Sequence, residues 1–150
     1  MQRTIKGFVQ DDLGDWVALL DCSHRQHVRH DPPFVERAWI TTEEGRAAHL
    51  LQALECPLCD RFEWPAHLAA YKRTPEFTAD TIPAGLLKDH STKQGVWGRI
   101  VILEGKLHYQ IDALNTSFEL TPEVPGIVVP QMLHHVAPLG AVRFYVEFYR

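Results

Sequence analysis

The chain has 150 residues, room for one ordinary domain or two small ones. With 45% apolar and 23% charged residues the composition is globular, and a formal net charge of −4 argues against a nucleic-acid protein working by general basicity. No run of ~18 apolar residues occurs and the N-terminus lacks the apolar core of a signal peptide, so a cytoplasmic protein with no membrane segment is expected. The unusual counts are three Cys and nine His. Three thiols cannot all pair and a cytosol keeps them reduced, so they read as ligands or bystanders rather than disulfide partners.

The charge is uneven. Residues 1–60 hold six Lys/Arg and ten Asp/Glu, whereas residues 61–150 hold nine of each. All three Cys lie in the first segment, and the second carries most of the Gly, Pro and short β-type runs. This predicts two domains, 1–60 and 70–150, joined by a short ordered linker over 61–69. In the first, Ile5–Val9 and Trp16–Leu20 flank the turn signal Asp11-Asp12-Leu13-Gly14, a hairpin pattern. A third run, His24 to His30, stops at Asp31-Pro32-Pro33. Thr42 to Leu54 reads as one helix, capped at Thr41 or Thr42, with Leu50, Leu51 and Leu54 as its apolar face. In the second segment, strands are expected over 96–103, 107–111, 117–120, 126–130, 134–136 and 142–149, with a tight turn at Glu104-Gly105-Lys106. Such spacing suggests a sandwich or small barrel, and the whole chain reads as mainly β with a small α+β N-terminal module.

Cys56-Pro57-Leu58-Cys59 offers two thiolates at metal-binding spacing. A structural zinc wants four ligands. Cys22 and His24, two apart on an extended chain, can face the same ion and complete a three-Cys, one-His site. His27 and His30 are alternatives to His24. A redox pair lacks its βαβ context, while inert buried thiols with no metal stay open. A segment of about 60 residues has a thin core and gains most from a metal staple.

The pattern Asp15-Trp16-Val17-Ala18, Cys22, His24, Gln26 to His30, Pro32-Pro33, Thr42 to Arg46 and Cys56 to Cys59 resembles a small bacterial Cys/His family of unknown function. That resemblance covers nearly all of residues 1–60 and implies a domain without an activity; the predicted hairpin, helix and four ligands read as a zinc-ribbon-like hairpin/helix module. The family commonly has Gly where this chain has Ser23.

Residues 70–150 carry Tyr71 to Phe77, Ile82 to Leu86, Asp89 to Lys93, Gly95 to Gly98, Leu103 to Gly105, Pro130 to Val136 and Phe144 to Tyr149. These resemble the cupin-type domain of TehB-like tellurite-resistance and YeaR-like proteins. The resemblance implies a cupin-like double-stranded β-helix, a jelly-roll barrel, and no S-adenosylmethionine chemistry is carried over with it. Set beside metal cupins, His90, His134 and Glu147 would form a two-His, one-carboxylate cup for iron, zinc or manganese. Glu147 could instead act as a general base if its face of the last strand looks inward. His134 and His135 face opposite ways on a strand, and relatives lacking the second His keep the first. Trp97 and Tyr109 read as core or cavity wall.

Three functions follow from this reading. The first is a metal-binding cupin-type accessory protein responding to tellurite or other toxic oxyanions and taking a small-molecule or anion ligand. The second is a metal-dependent enzyme on an unknown small molecule, with Glu147 its candidate catalytic residue. The third is a regulatory or interaction module. Nucleic acid and membrane partners are not expected. The oligomeric state stays open, a homodimer being common among cupin relatives.

Overall fold

In the computed structural model, which describes residues 1–28 and 37–150, the two runs around the Asp11–Gly14 turn form an antiparallel hairpin. β1 (Gln2–Gln10) and β2 (Trp16–Leu20) set Phe8 opposite Ala18 and Gln10 opposite Trp16. The turn closes because the Asp11 carboxylate accepts from the N–H of Leu13 and of Asp15, both at 2.9 Å, a short-side-chain bond that mimics a backbone turn. β3 (Arg25–His27) pairs with β2 and β4 (Ala53–Glu55) with β1, giving the order β3-β2-β1-β4. Ile5, Ala18, Leu20, Val28, Ile40 and Leu54 form this unit's apolar core. The expected chain stop at Asp31–Pro33 lies outside the described residues.

The helix expected over 42–54 is cut short. α1 spans only Glu43–His49, with the Thr42 hydroxyl accepting from Gly45 N–H at 3.0 Å and Glu43 and Glu44 in its first turn. Leu51 then takes φ 65°, which ends the helix, and Leu54 enters β4 opposite Arg3. Leu50 and Leu51 are exposed while Leu54 is buried, so the three leucines share no face. Pairing with β1 satisfies the backbone of residues 53–55 and outweighs their helical spacing.

The chain divides into two compact units, Met1–Ala66 and His67–Arg150. The second is built on two long strands, β7 (Trp97–Ile111) and β10 (His134–Tyr149), paired antiparallel from Trp97 opposite Tyr149 to Ile111 opposite His134. β5 (Ala70–Arg73) and β6 (Phe77–Thr78) line β10, while β8 (Thr116–Leu120) and β9 (Gly126–Val128) line opposite halves of β7. The expected turn at Glu104–Lys106 is therefore absent. Residues 97–103 and 107–111 do not pair with each other, because each half finds its partner in β10. The exposed Glu104-Gly105-Lys106 has a turn's composition but forms an irregularity inside one strand, opposite the slip between Pro138 and Val142. The two shorter strands expected over 134–136 and 142–149 merge in the same way into β10.

The pairings connect all six strands of this unit into one antiparallel sheet. Mainly antiparallel β structure is thus present, but the two facing sheets of a jelly roll are not among the described pairings. Among the described residues no helix is long and apolar enough to cross a membrane.

Gly105 makes the strand irregularity workable. It sits at φ 79°, and a Cβ there would lie 2.0 Å from the Ala141 carbonyl oxygen, with backbone rather than a yielding side chain in the way. Gly105→Ala is expected to lower the stability of this unit by about 2 kcal/mol or more, from left-handed strain plus the clash. Denaturant melts of the two proteins measure it, and an unchanged midpoint would refute the account.

Candidate metal centre and ligand cavity

β2 ends at Leu20 in a tight reversal in which Ser23 N–H donates to Leu20 O at 2.9 Å and Leu20 N–H to His24 O at 3.0 Å. Ser23 takes φ 71°, the left-handed region that glycine enters without cost. The reversal turns Cys22 and His24 to one side. The second pair comes from the end of β4. Cys56 N–H donates to Met1 O at 2.8 Å, and Pro57 opens the single-turn helix α2 (Pro57–Asp60) that carries Cys59.

The four side chains converge. His24 Nδ1 lies 3.4 Å from Cys22 Sγ, 3.4 Å from Cys56 Sγ and 3.6 Å from Cys59 Sγ, and the Cys22 and Cys56 sulfurs are 3.9 Å apart. A zinc tetrahedron with bonds of ~2.3 Å to sulfur and ~2.0–2.1 Å to nitrogen has edges of about 3.8 Å between sulfurs and about 3.5–3.6 Å between sulfur and nitrogen. The observed edges fall at those lengths, so the donors fit the ion. All three cysteines are free and fully buried, and His24 is buried with them. His24 Nε2–H donates to the Glu63 carbonyl at 2.8 Å, which leaves Nδ1 with its lone pair facing the sulfurs, the usual outer bond of a metal-ligating histidine. Glu63 is brought there by its own N–H, which donates to Leu58 O at 3.0 Å. With only protons to share, hydrogen bonds from Cys22 and Cys59 push the Cys56 thiol far below its usual range while Cys22 is pushed up, and His24, despite its burial, is raised to about 9 by its bonds to Cys56 and Cys59, so a thiolate and an imidazolium face each other where the ion would sit.

Among the described residues this is the cluster of three or more Cys, His, Asp or Glu placed to hold a metal ion. His27, the alternative to His24, lies on β3 with Nε2 at 3.8 Å from the Asp15 carboxylate, away from the sulfurs. His30 lies outside the described residues.

The second unit holds a cavity of about 320 Å³. Phe77, Ile100, Val136, Phe144, Val146 and Phe148 supply much of its apolar wall. His90 and His134 meet at this wall. They exchange backbone bonds in both directions at 2.9 Å, and His90 Nδ1 lies 3.1 Å from His134 Nε2. His134 Nδ1 lies 2.9 Å from the Met132 carbonyl. Burial pushes both imidazoles below their usual pKa, so both are neutral at neutral pH. Trp97 and Tyr109 are core residues, and the Tyr109 hydroxyl donates to Ile127 O at 2.8 Å.

Glu147 does not join the two histidines. Strand alternation sends Phe144, Val146 and Phe148 to the cavity and turns Glu147 to the other face of β10, opposite Arg99, where its carboxylate accepts from the Tyr149 hydroxyl. The two-His, one-carboxylate cup is not assembled, and among the described residues no third Cys, His, Asp or Glu joins the two histidines. Glu147 has no reach into the cavity as a general base either. The sequence did not mark the cavity lining, because Val136, Phe144 and Val146 have the period-two pattern of any core strand.

Comparison with known proteins supplies two family matches. Residues 6–63 match DUF3565, a family of unknown function, and residues 72–146 match the TehB-like domain. Two Haemophilus influenzae strains have a relative named probable S-adenosyl-L-methionine-dependent methyltransferase TehB, 36% and 35% identical over 79 residues. The match covers 49% of this chain and 27% of each relative, so the chain spans about a quarter of their length. The crystal structure of Haemophilus influenzae TehB superposes with a TM-score of 0.52 at 31% identity, over 56% of this chain and 32% of that one. A crystal structure of an Escherichia coli K12 protein superposes with a TM-score of 0.53 over 58% of this chain and 94% of that one. At 18% identity it shares the fold alone.

These findings overturn the reading of a cupin-type metal-binding accessory protein. The matched relatives carry the name of S-adenosylmethionine-dependent methyltransferases, and neither family match is a cupin. The cofactor in that name does not suit the cavity described above. S-adenosylmethionine bears a sulfonium, an ammonium and a ribose diol, groups best met by carboxylates. The cavity lining contains no carboxylate, and its one permanent charge is the cation of Lys72. With the TehB-like match running over residues 72–146, half of its length, the chain belongs to the TehB-like domain family.

Proposed function

We propose that this is a zinc-stabilised, small-molecule-binding protein. Cys22, His24, Cys56 and Cys59 hold one structural zinc that folds the first unit, and the TehB-like unit holds a small organic molecule. The observation that carries the second half is the cavity of about 320 Å³, apolar in most of its wall, with a few fixed polar groups converging on it. The relatives named for methyl transfer match this chain over 79 residues, close to the extent of the TehB-like match at residues 72–146. The ligand is accordingly read as a molecule of the kind that accepts a methyl group, rather than the cofactor that donates one. The E. coli structure supports a fold able to stand by itself, since 94% of that chain is covered.

Naphthalene, a rigid apolar probe, tests the cavity. Its addition is expected to shift the methyl resonances of Ile100, Val128 and Val136, which line the cavity. The shifts should vanish in Val136→Phe, where the added ring occupies the space. Shifts elsewhere, or shifts that survive Val136→Phe, would refute the reading.

A further inference from the structure

Hydrogens in the cavity can be assigned from their partners. A carbonyl only accepts, so His134 Nδ1 carries the hydrogen it donates to Met132 O at 2.9 Å. In the neutral ring His134 Nε2 is then an acceptor. The hydrogen between the rings therefore sits on His90 Nδ1, 3.1 Å away. This leaves His90 Nε2 with a lone pair and no hydrogen-bond partner among the described residues. The relay is directional, from His90 through His134 to the Met132 carbonyl, and each link fixes the tautomer of the next.

The other polar groups of the lining have already committed their hydrogens. Thr92 donates to Val96 O at 2.7 Å, and Thr74 donates to Pro75 O at 2.9 Å while accepting from Val146 N–H at 2.9 Å. Lys72 is exposed on β5, so it marks the rim rather than the floor. The interior thus presents an acceptor among apolar walls and offers few donors. His90 is half-buried, so water meets its Nε2 when the cavity is open; a ligand that displaces that water without supplying a donor leaves the acceptor unmatched and gains little, and an anion is repelled by the lone pair.

Resting on the cavity being a ligand site, we infer that it selects an uncharged organic molecule with an apolar body and one hydroxyl, thiol or N–H group that donates to His90 Nε2. This deepens the methyl-acceptor reading. Such groups are the nucleophiles that accept methyl groups, and a neutral imidazole is placed to take up their hydrogen bond.

The test compares three probes of one shape by fluorescence titration of the full chain: 1-naphthol, 1-methoxynaphthalene and 1-naphthoate. 1-Naphthol is expected to bind about tenfold more tightly than 1-methoxynaphthalene, the worth of one matched buried hydrogen bond. His90→Phe, which keeps an aromatic ring at the wall, is expected to bind both neutral probes equally. Nitrogen-15 spectra of the unsubstituted protein give a readout independent of any variant, with both rings expected as the Nδ1–H tautomer. Equal binding of the neutral probes to the unsubstituted protein, a preference for 1-naphthoate, a preference that survives His90→Phe, or an Nε2–H tautomer at His90 would each overturn the donor rule while leaving a ligand cavity in place. Failure of all three probes and of naphthalene would overturn the cavity reading itself.

Discussion

Replacing both Cys56 and Cys59 by serine is expected to remove one zinc per chain and to unfold the first unit. The size of the effect follows from the donors and from the thinness of the core. Three fully buried cysteines and a buried histidine occupy the centre of a unit of about sixty residues, a size at which an apolar core alone is marginal. Structural zinc in small domains is worth about 10–16 kcal/mol of apparent binding free energy at neutral pH, more than such a core supplies. Without the ion, the buried cluster has only the His24 imidazole to balance the charge that gathers at Cys56. Elemental analysis counts the zinc and amide spectra follow the fold. The unit should lose dispersed resonances for Ile5, Ala18 and Leu20, while Trp97 and Phe144 of the second unit keep theirs. A variant that holds its zinc, or one that loses it and keeps a native first unit, would defeat the proposal. His24→Ala should act in the same direction, and His27→Ala should leave the zinc in place, since His27 stands beside Asp15 and not beside the sulfurs.

Trp97→Ala is expected to cost about 3–5 kcal/mol, the range for deleting a fully buried large aromatic side chain. Trp97 has no exposed surface and begins β7 opposite Tyr149, at the end where β9 also pairs with that strand. For a unit of roughly eighty residues, each kcal/mol corresponds to about 4–8 °C in melting temperature. A fall of more than 10 °C in the transition of the second unit is therefore expected, with the zinc content unchanged. Calorimetry with parallel metal analysis decides it. A small shift, or a loss of zinc along with the fold, would show that the packing of Trp97 or the independence of the two units has been misjudged.

Local chemistry was legible where a few neighbouring residues decide the outcome. Asp11 and Gly14 announce a hairpin because an acidic side chain and a glycine close that turn by themselves. Cys56-Pro57-Leu58-Cys59, with Cys22 and His24, announced the four-ligand cluster because spacing puts each pair on one side of its own turn. What spacing left open was which histidine completes the set. The reversal at Ser23 and the carbonyl of Glu63 place His24 there, and a backbone carbonyl leaves no trace in a residue pattern.

Long-range pairing was not legible. Glu104-Gly105-Lys106 looked like a turn because its residues are polar and flexible, yet the flanking runs each pair with β10, some twenty to fifty residues away. The helix expected to reach Leu54 stops at His49 for the same reason, since β1 claims Ala53 to Glu55. Glu147 was placed in a cup with His90 and His134, but a period of two cannot say which face looks inward. The sheet gave the cavity to Phe144, Val146 and Phe148 and left Glu147 beside Tyr149.

The sequence by itself marked the three cysteines of the Cys/His cluster, the hairpin that carries one pair of its members and the β character of the second unit, because these depend on turn chemistry and strand period over a few residues. The tertiary structure alone decided the directional bond from His90 to His134 and the apolar cavity around it. Two residues 44 apart meet there only because β10 begins where the chain leading into β7 crosses it, and what they can bind depends on the walls that the other strands bring.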